Sequence, residues 1–244
     1  MKKLFISGFL LVLLIITSFA NINIKKLNVY MAKGKDAVSI LDDVDYQGVF
    51  QNGIFKDHNL TIDTSSGRQV FLDKFFTSNI VYLSLHANPN KWVVGSGEVV
   101  TVTDLAQTYQ AKKRGPSLVI VTGCQTIKDD TEALGFASAI GITSTSSKRA
   151  YLGYKTITVG LFSDRFFRVF LATWMKPKAD GGYRTLEEAR TEAKDFINRM
   201  LDRQKDSSQG TARLGKLASF APLDPRVGGS FYIIGDSQLR FSDL

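Results

Sequence analysis

Asn79-Ile80-Val81-Tyr82-Leu83-Ser84-Leu85-His86-Ala87 is a short, β-branched apolar run that closes on a histidine, one of only two in the chain. Downstream, Ser117-Leu118-Val119-Ile120-Val121-Thr122-Gly123-Cys124-Gln125-Thr126 repeats the pattern and closes on the only cysteine. Apolar runs of this length, bounded by turn residues, read as parallel strands buried on both faces. In an open α/β sheet the carboxyl ends of neighbouring strands share one crevice, where ligands and chemistry sit. Two such strands would bring an imidazole and a thiol to one sheet edge, the pair that a cysteine nucleophile requires.

The flanking sequence supplies the rest of such a sheet. Leu27 to Ala32 reads as a first strand, Arg149 to Tyr154 as a short later one, and Phe231 to Ile234 as a last one closed by Gly235-Asp236. The Lys33 to Gly67 stretch is mixed and reads as strands and loops. Val70 to Phe76 predicts a short helix leading into the histidine strand. Trp92 to Val100 has apolar runs flanking Gly95-Ser96-Gly97, the chemistry of a hairpin. Thr103 to Ala111 predicts a helix capped by Thr103 or Asp104. Asp129 to Ile140 predicts another, with acids in its first turn and a stop at Gly141.

Toward the end, Ser163 to Met175 carries Phe166, Phe167, Phe170, Leu171 and Trp174 at helical spacing behind a serine cap. Thr185-Leu186-Glu187-Glu188 is a capping box. It opens a long amphipathic helix whose core-facing stripe is Leu186, Ala189, Ala193, Phe196, Ile197, Met200 and Leu201. Lys205 to Gly210 reads as a polar loop. Strands alternating with helices predict an α/β three-layer sandwich, with a mostly parallel sheet of about six strands and helices on both faces.

The chain opens Met1-Lys2-Lys3 and runs largely apolar to Ser18-Phe19-Ala20. A basic start, an apolar stretch and small residues at the end make a secretory signal over residues 1–20, followed by a single domain over residues 21–244. Cleavage would leave a secreted or periplasmic protein, and a retained segment would anchor it to the membrane. The formal net charge is +8, which falls to +6 without Lys2 and Lys3. The basic residues are scattered, apart from clusters such as Lys112-Lys113-Arg114. That distribution suits an envelope or membrane surface, and no nucleic-acid motif accompanies it. One cysteine excludes an internal disulfide, so Cys124 is either a small buried hydrophobe or a reactive thiol.

A reactive Cys124 needs its thiol pKa lowered by a nearby cation or a helix N-terminus. Its tetrahedral intermediate needs amide donors, and turns after the two strands offer the N–H groups of Ala87 and Cys124. The other histidine, His58, lies in the polar stretch Lys56-Asp57-His58-Asn59 and is expected to be exposed. No Gly-x-Ser-x-Gly elbow, phosphate-binding loop or metal-spaced cluster occurs, so neither cofactor nor metal is expected.

A strand ending in His, then a hairpin and helix, then a strand ending in Cys-Gln-Thr, resembles the caspase-like cysteine peptidases of clan CD. Within them the chain looks most like the bacterial CHAT and gingipain-like branches. Glu98 to Leu105 is similar to the hairpin and helix start before the cysteine strand, and Tyr151-Leu152-Gly153-Tyr154 to the strand after it. Ile234 to Arg240 is similar to the close of gingipain-like domains, and Thr185 to Ala193 to their late acidic helix. Ala87 stands where these proteins usually have glycine, and Thr122-Gly123 where Asp-Ala is common. The resemblance implies a caspase-like fold and an exported endopeptidase acting on peptide or protein substrates. Cys124 would be its nucleophile, His86 its general acid/base, and the amides of Ala87 and Cys124 its oxyanion hole. Asp104, Asp129, Asp130 and Asp164 are candidates for receiving a basic substrate side chain, and each reads equally as a cap or a solvated acid. The alternative is a caspase-fold binding or scaffold protein at the envelope that no longer cleaves.

Overall fold

The computed structural model of the chain describes residues 25–37, 39–42, 44–88, 90–123, 134–154, 160–205 and 231–244. Its strands are β1 (Asn28–Lys33), β2 (Asn59–Asp63), β3 (Ile80–Ser84), β4 (His86–Asn88), β5 (Lys91–Val93), β6 (Val99–Thr101), β7 (Leu118–Val121), β8 (Ala150–Tyr154) and β9 (Phe231–Gly235). Its α-helices are α1 (Val44–Val49), α2 (Arg68–Thr77), α3 (Val102–Lys112), α4 (Leu134–Ala139), α5 (Gly160–Met175) and α6 (Leu186–Lys205). A six-stranded sheet runs in the order β2-β1-β3-β7-β8-β9, and β4, β5 and β6 form a separate three-stranded sheet. Every neighbouring pair in the large sheet is parallel except β8 with β9. The chain steps from β1 outward to β2 and then crosses back to β3 on the other side of β1. The carboxyl ends of β1 and β3 therefore form a topological switch point, where a crevice opens.

Successive strand residues enter two different cores, as a period of two requires. Val29, Met31, Ile80, Tyr82, Leu118, Ile120 and Leu152 face the layer of α5 and α6, where Phe166, Phe167, Phe170, Trp174 and Ala189 are buried. Tyr30, Ala32, Val81, Leu83, Val119, Val121 and Tyr151 face the opposite layer, with Phe71 and Phe75 of α2, Leu105 of α3 and Phe136 of α4. Helices on both faces of a mostly parallel sheet make the expected α/β sandwich.

Local readings differ in instructive places. The Lys33 to Gly67 stretch holds α1 and a π-turn over Phe50–Ile54 as well as β2. The Phe55 N–H donates to the Phe50 carbonyl at 2.8 Å, and that five-residue step buries both rings. The cap of α3 is Thr101, earlier than either expected residue: Asp104 N–H donates to Thr101 Oγ1 at 3.1 Å, and Thr101 N–H to Asp104 Oδ2 at 2.8 Å. Helix α5 begins at Gly160, ahead of Ser163. The expected box at the start of α6 is present, with Thr185 N–H to Glu188 Oε2 at 2.8 Å and Glu188 N–H to Thr185 Oγ1 at 3.1 Å. On α6, Leu186, Ala189, Ala193 and Ile197 are buried, whereas Phe196 is 48% exposed. Phe196 falls at the edge of that stripe, about 20° round the helix from Ala189 but about 100° from Ile197.

No helix among the described residues is long and apolar enough to cross a membrane. The expected signal over residues 1–20, the first half of the helix expected from Asp129, and the Lys205 to Gly210 loop beyond Lys205 lie outside the described residues.

Candidate functional site

The apolar run of the histidine strand stops before the histidine. Ser84 is the last residue of β3, paired with Lys33 of β1, while β7 pairs only as far as Leu83 with Val121. The Gly34 N–H then donates to the Ser84 carbonyl at 2.8 Å, and the Thr122 N–H to the Leu83 carbonyl at 2.7 Å. Among the described residues the ladders of the large sheet go no further at this end. Leu85 is buried, and His86 opens β4 by pairing antiparallel with β5: His86 with Val93, Ala87 with Trp92, Asn88 with Lys91. In turn β5 pairs with β6, Trp92 opposite Val100 and Val93 opposite Val99.

This register gives the small sheet two unlike faces, because a strand side chain and its cross-strand partner share a face. Ala87, Trp92 and Val100 make the inner row, which packs on the α2–α4 core. His86, Val93 and Val99 make an outer row, on which His86 is exposed. Ala87 is half-buried.

Trp92 anchors the inner row. It is fully buried and stacks on Phe136 with centroids 4.4 Å apart and planes 14° from parallel. Phe75 and Phe71 of α2 contact it at 5.9 and 6.3 Å. Each such aromatic pair adds about 0.5–1.5 kcal/mol beyond the area it buries. The indole N–H is buried without a hydrogen-bond partner among the described residues. The hairpin tip is tied down separately: Glu98 Oε2 accepts from the Arg68 N–H at 2.9 Å and from Ser96 Oγ at 3.1 Å. Glu98 thereby caps α2, and the Arg68 amide holds its carboxyl below the usual glutamate range.

A further polar cluster pins the carboxyl end of β2. Tyr30 Oη donates to Asp63 Oδ2 at 2.8 Å, Lys74 Nζ pairs with the same oxygen at 2.9 Å, and the Ser65 and Ser66 N–H groups reach Oδ1 at 3.3 and 3.0 Å. Burial alone would raise the Asp63 pKa, but the bonds from Ser66, Lys74 and Tyr30 outweigh it and hold the carboxyl well below the aspartate range. Burial, followed by the Asp63 charge, pushes the Tyr30 hydroxyl far above its ordinary value.

On the cysteine side, β7 leaves the same edge. Thr122 and Gly123 are buried, and Thr122 Oγ1 donates a second bond to the Leu83 carbonyl at 3.2 Å. Gly123 is the last described residue of this segment; Cys124 lies outside the described residues, as do Asp129 and Asp130. Asp164 belongs to α5, and its side chain also falls outside the description. Asp104 is engaged as the α3 cap. Burial works to raise its pKa, and the Thr101 bonds outweigh that and lower it. His58 differs from expectation: it is half-buried, edge-on to Phe55 and Phe241, and its Nδ1 accepts from the Leu27 N–H at 3.4 Å. Burial lowers its pKa against the opposing charge of Asp57. Among the described residues no group of His, Cys, Asp and Glu could hold a metal ion.

No family model matches the chain, and no curated protein matches it. Solved structures do. The Arg-specific cysteine proteinase gingipain R (RgpB) is similar at a TM-score of 0.54 and 12% identity, covering 89% of this chain and 48% of that one. The complex of Porphyromonas gingivalis RgpB pro- and mature domains is similar at a TM-score of 0.55 and 12% identity, covering 89% and 49%. The chain spans about half the length of the structures it matches. The likeness is one of fold: a caspase-like α/β fold with a six-stranded, mostly parallel sheet.

Proposed function

We propose that the chain is an exported cysteine endopeptidase that cleaves peptide or protein substrates with a Cys124–His86 dyad. The observation that carries the reading is the shared edge. Parallel neighbours β3 and β7 leave the sheet side by side, one continuing into His86 and the other into Gly123, the residue before Cys124. The fold likeness to a cysteine proteinase supports it. The motifs around Ile234 to Arg240 and Thr185 to Ala193 favour the CHAT and gingipain-like branches of the caspase-like peptidases. The leader over residues 1–20 supports export.

In this reading the Cys124 thiolate attacks the scissile carbonyl carbon and forms a carbon–sulfur bond. The N–H groups of Cys124 and Ala87 hold the oxyanion. The carbon–nitrogen bond then breaks as His86 gives its proton to the leaving amine, and water hydrolyses the thioester. The exposed face on which His86 stands leaves it open to an approaching substrate.

The test is the pH dependence of Cys124 alkylation in the full chain and in His86→Ala. The dyad predicts a thiol reactive near neutral pH whose reactivity falls with the substitution. A thiol inert in the folded protein sinks the reading. A His86-dependent thiol that cleaves nothing in a peptide library favours the non-cleaving scaffold, with Ala87 in the place of glycine as the first position to revert.

A further inference from the structure

We infer that Trp92 is a positioning residue for the Cys124–His86 pair, an inference that rests on the dyad reading above. The small sheet that carries His86 shares no ladder with the large sheet that carries β7. The placement of His86 is therefore set by the Leu85 link, by contacts at the ends of the hairpin, and by the packing of the inner row. Trp92 is the only large side chain of that row; its neighbours there are Ala87 and Val100. Its register partner Ala87 adjoins His86 and supplies the proposed oxyanion amide.

On its other side Trp92 lies flat on Phe136, near the start of α4. Helix α4 is the first described element after Gly123; residues 124–133, Cys124 among them, lie between the two in the sequence and outside the described residues. One stacked pair thus joins β5, the ladder partner of the strand that bears His86, to the first described helix after Gly123. Among the described residues the indole N–H has no acceptor, and stacking and ring contacts hold the side chain. A change in that stack moves the sheet of His86 relative to the carboxyl end of β7, which leads in sequence to Cys124, and a misplacement of about 1 Å can cost up to ~100-fold in rate.

Two variants of the full chain test this, each with Cys124 alkylation by iodoacetamide followed across pH and with thermal unfolding. Phe136→Leu removes the stacked partner and leaves Phe71 and Phe75 against the indole. It is expected to lower the alkylation rate at neutral pH by ~10- to 100-fold and to move the pH midpoint upward. Adding His86→Ala to it should then cost little more, because coupled residues are not additive. Trp92→Phe keeps a ring, removes the unpartnered N–H, and is expected to fold with a smaller shift in the same direction. A purely structural role would lower the unfolding temperature and leave the pH midpoint unchanged. A wild-type pH profile in whichever of the two variants folds overturns the inference while the dyad stands. A wild-type thiol that ignores His86→Ala removes the dyad itself, and that result is read before either variant.

Discussion

Gly34→Ala is the substitution whose effect can be worked most directly from the structure. Gly34 follows β1 at the switch point, and its N–H is spent on Ser84. A Cβ there would lie 2.7 Å from Leu85 Cβ and 3.0 Å from Leu85 Cα, and closer still to the Val93 carbonyl oxygen. Carbon atoms in ordinary contact sit about 3.5–4.0 Å apart, so these neighbours must retreat by about 1 Å. All three atoms are backbone or fixed to it, and no rotamer change relieves the clash. Either the end of β1 bends or the small sheet moves outward with His86. Overpacking of this kind costs about 1–3 kcal/mol, and a domain of this size loses about 2–4 °C in Tm for each of them. If the sheet moves, Cys124 alkylation at neutral pH should fall by up to ~100-fold. Gly53→Ala is the control: nothing lies within 4 Å of its Cβ, and removing unfolded-state freedom there should be neutral or stabilising by up to about 1 kcal/mol. Urea midpoints and alkylation rates for both variants decide the matter. A Gly34→Ala protein indistinguishable from Gly53→Ala in both would refute the reasoning.

Other expectations follow from the polar clusters. The Asp63 carboxyl is held below its range in the fold, so its contribution is present above the unfolded value of about 3.9 and is lost as pH falls toward the depressed one. Asp63→Asn should flatten the acid side of a stability–pH curve measured by urea unfolding. An unchanged slope between about pH 5 and 2 would count against the cluster. Tyr30 is held above its range, so its share is present below about pH 10 and is lost as pH rises beyond it; Tyr30→Phe should remove that alkaline loss. Thr185→Ala opens the box at the start of α6 and should cost about 1 kcal/mol. Glu188, whose pKa the Thr185 amide and then Lys178 lower to about 2, keeps both partners in that variant, so NMR titration should find it still well below the normal glutamate range.

The large sheet was legible because buried strands leave a strong trace. Ile80 to Leu83 and Leu118 to Val121 have no polar break, and each residue meets one of two cores. The box at Thr185 was legible because capping needs a fixed spacing of two residue types. The π-turn at Phe50 was hidden, since its apolar step of five between Phe50 and Phe55 fits neither a helix nor a strand and is interrupted by Gly53. The small sheet was only half legible. Its hairpin could be read from Gly95 to Gly97, but β4 could not, because His86-Ala87-Asn88 has no apolar signal of its own. That strand exists because Ala87 and Asn88 find partners across β5, a long-range fact about register. The importance of Trp92 and Gly34 was invisible for the same reason, since both matter through residues far away in the chain.

The two halves of the proposed site are therefore held by different forces. Gly123 follows a strand fixed in the large sheet, with Thr122 bonded twice to the Leu83 carbonyl. His86 stands on a short sheet outside the large sheet's ladders, held by Trp92, by the closeness of Gly34 and by a few loop bonds such as Lys35 N–H to the Val94 carbonyl at 3.1 Å. Main-sheet hydrogen bonds break only when the core opens, whereas a packed appendage can shift while the core stays closed. For the proposed dyad this means that substitutions in β4, β5 or their supports should change thiol reactivity before they change global stability. Substitutions in β7 should do both together.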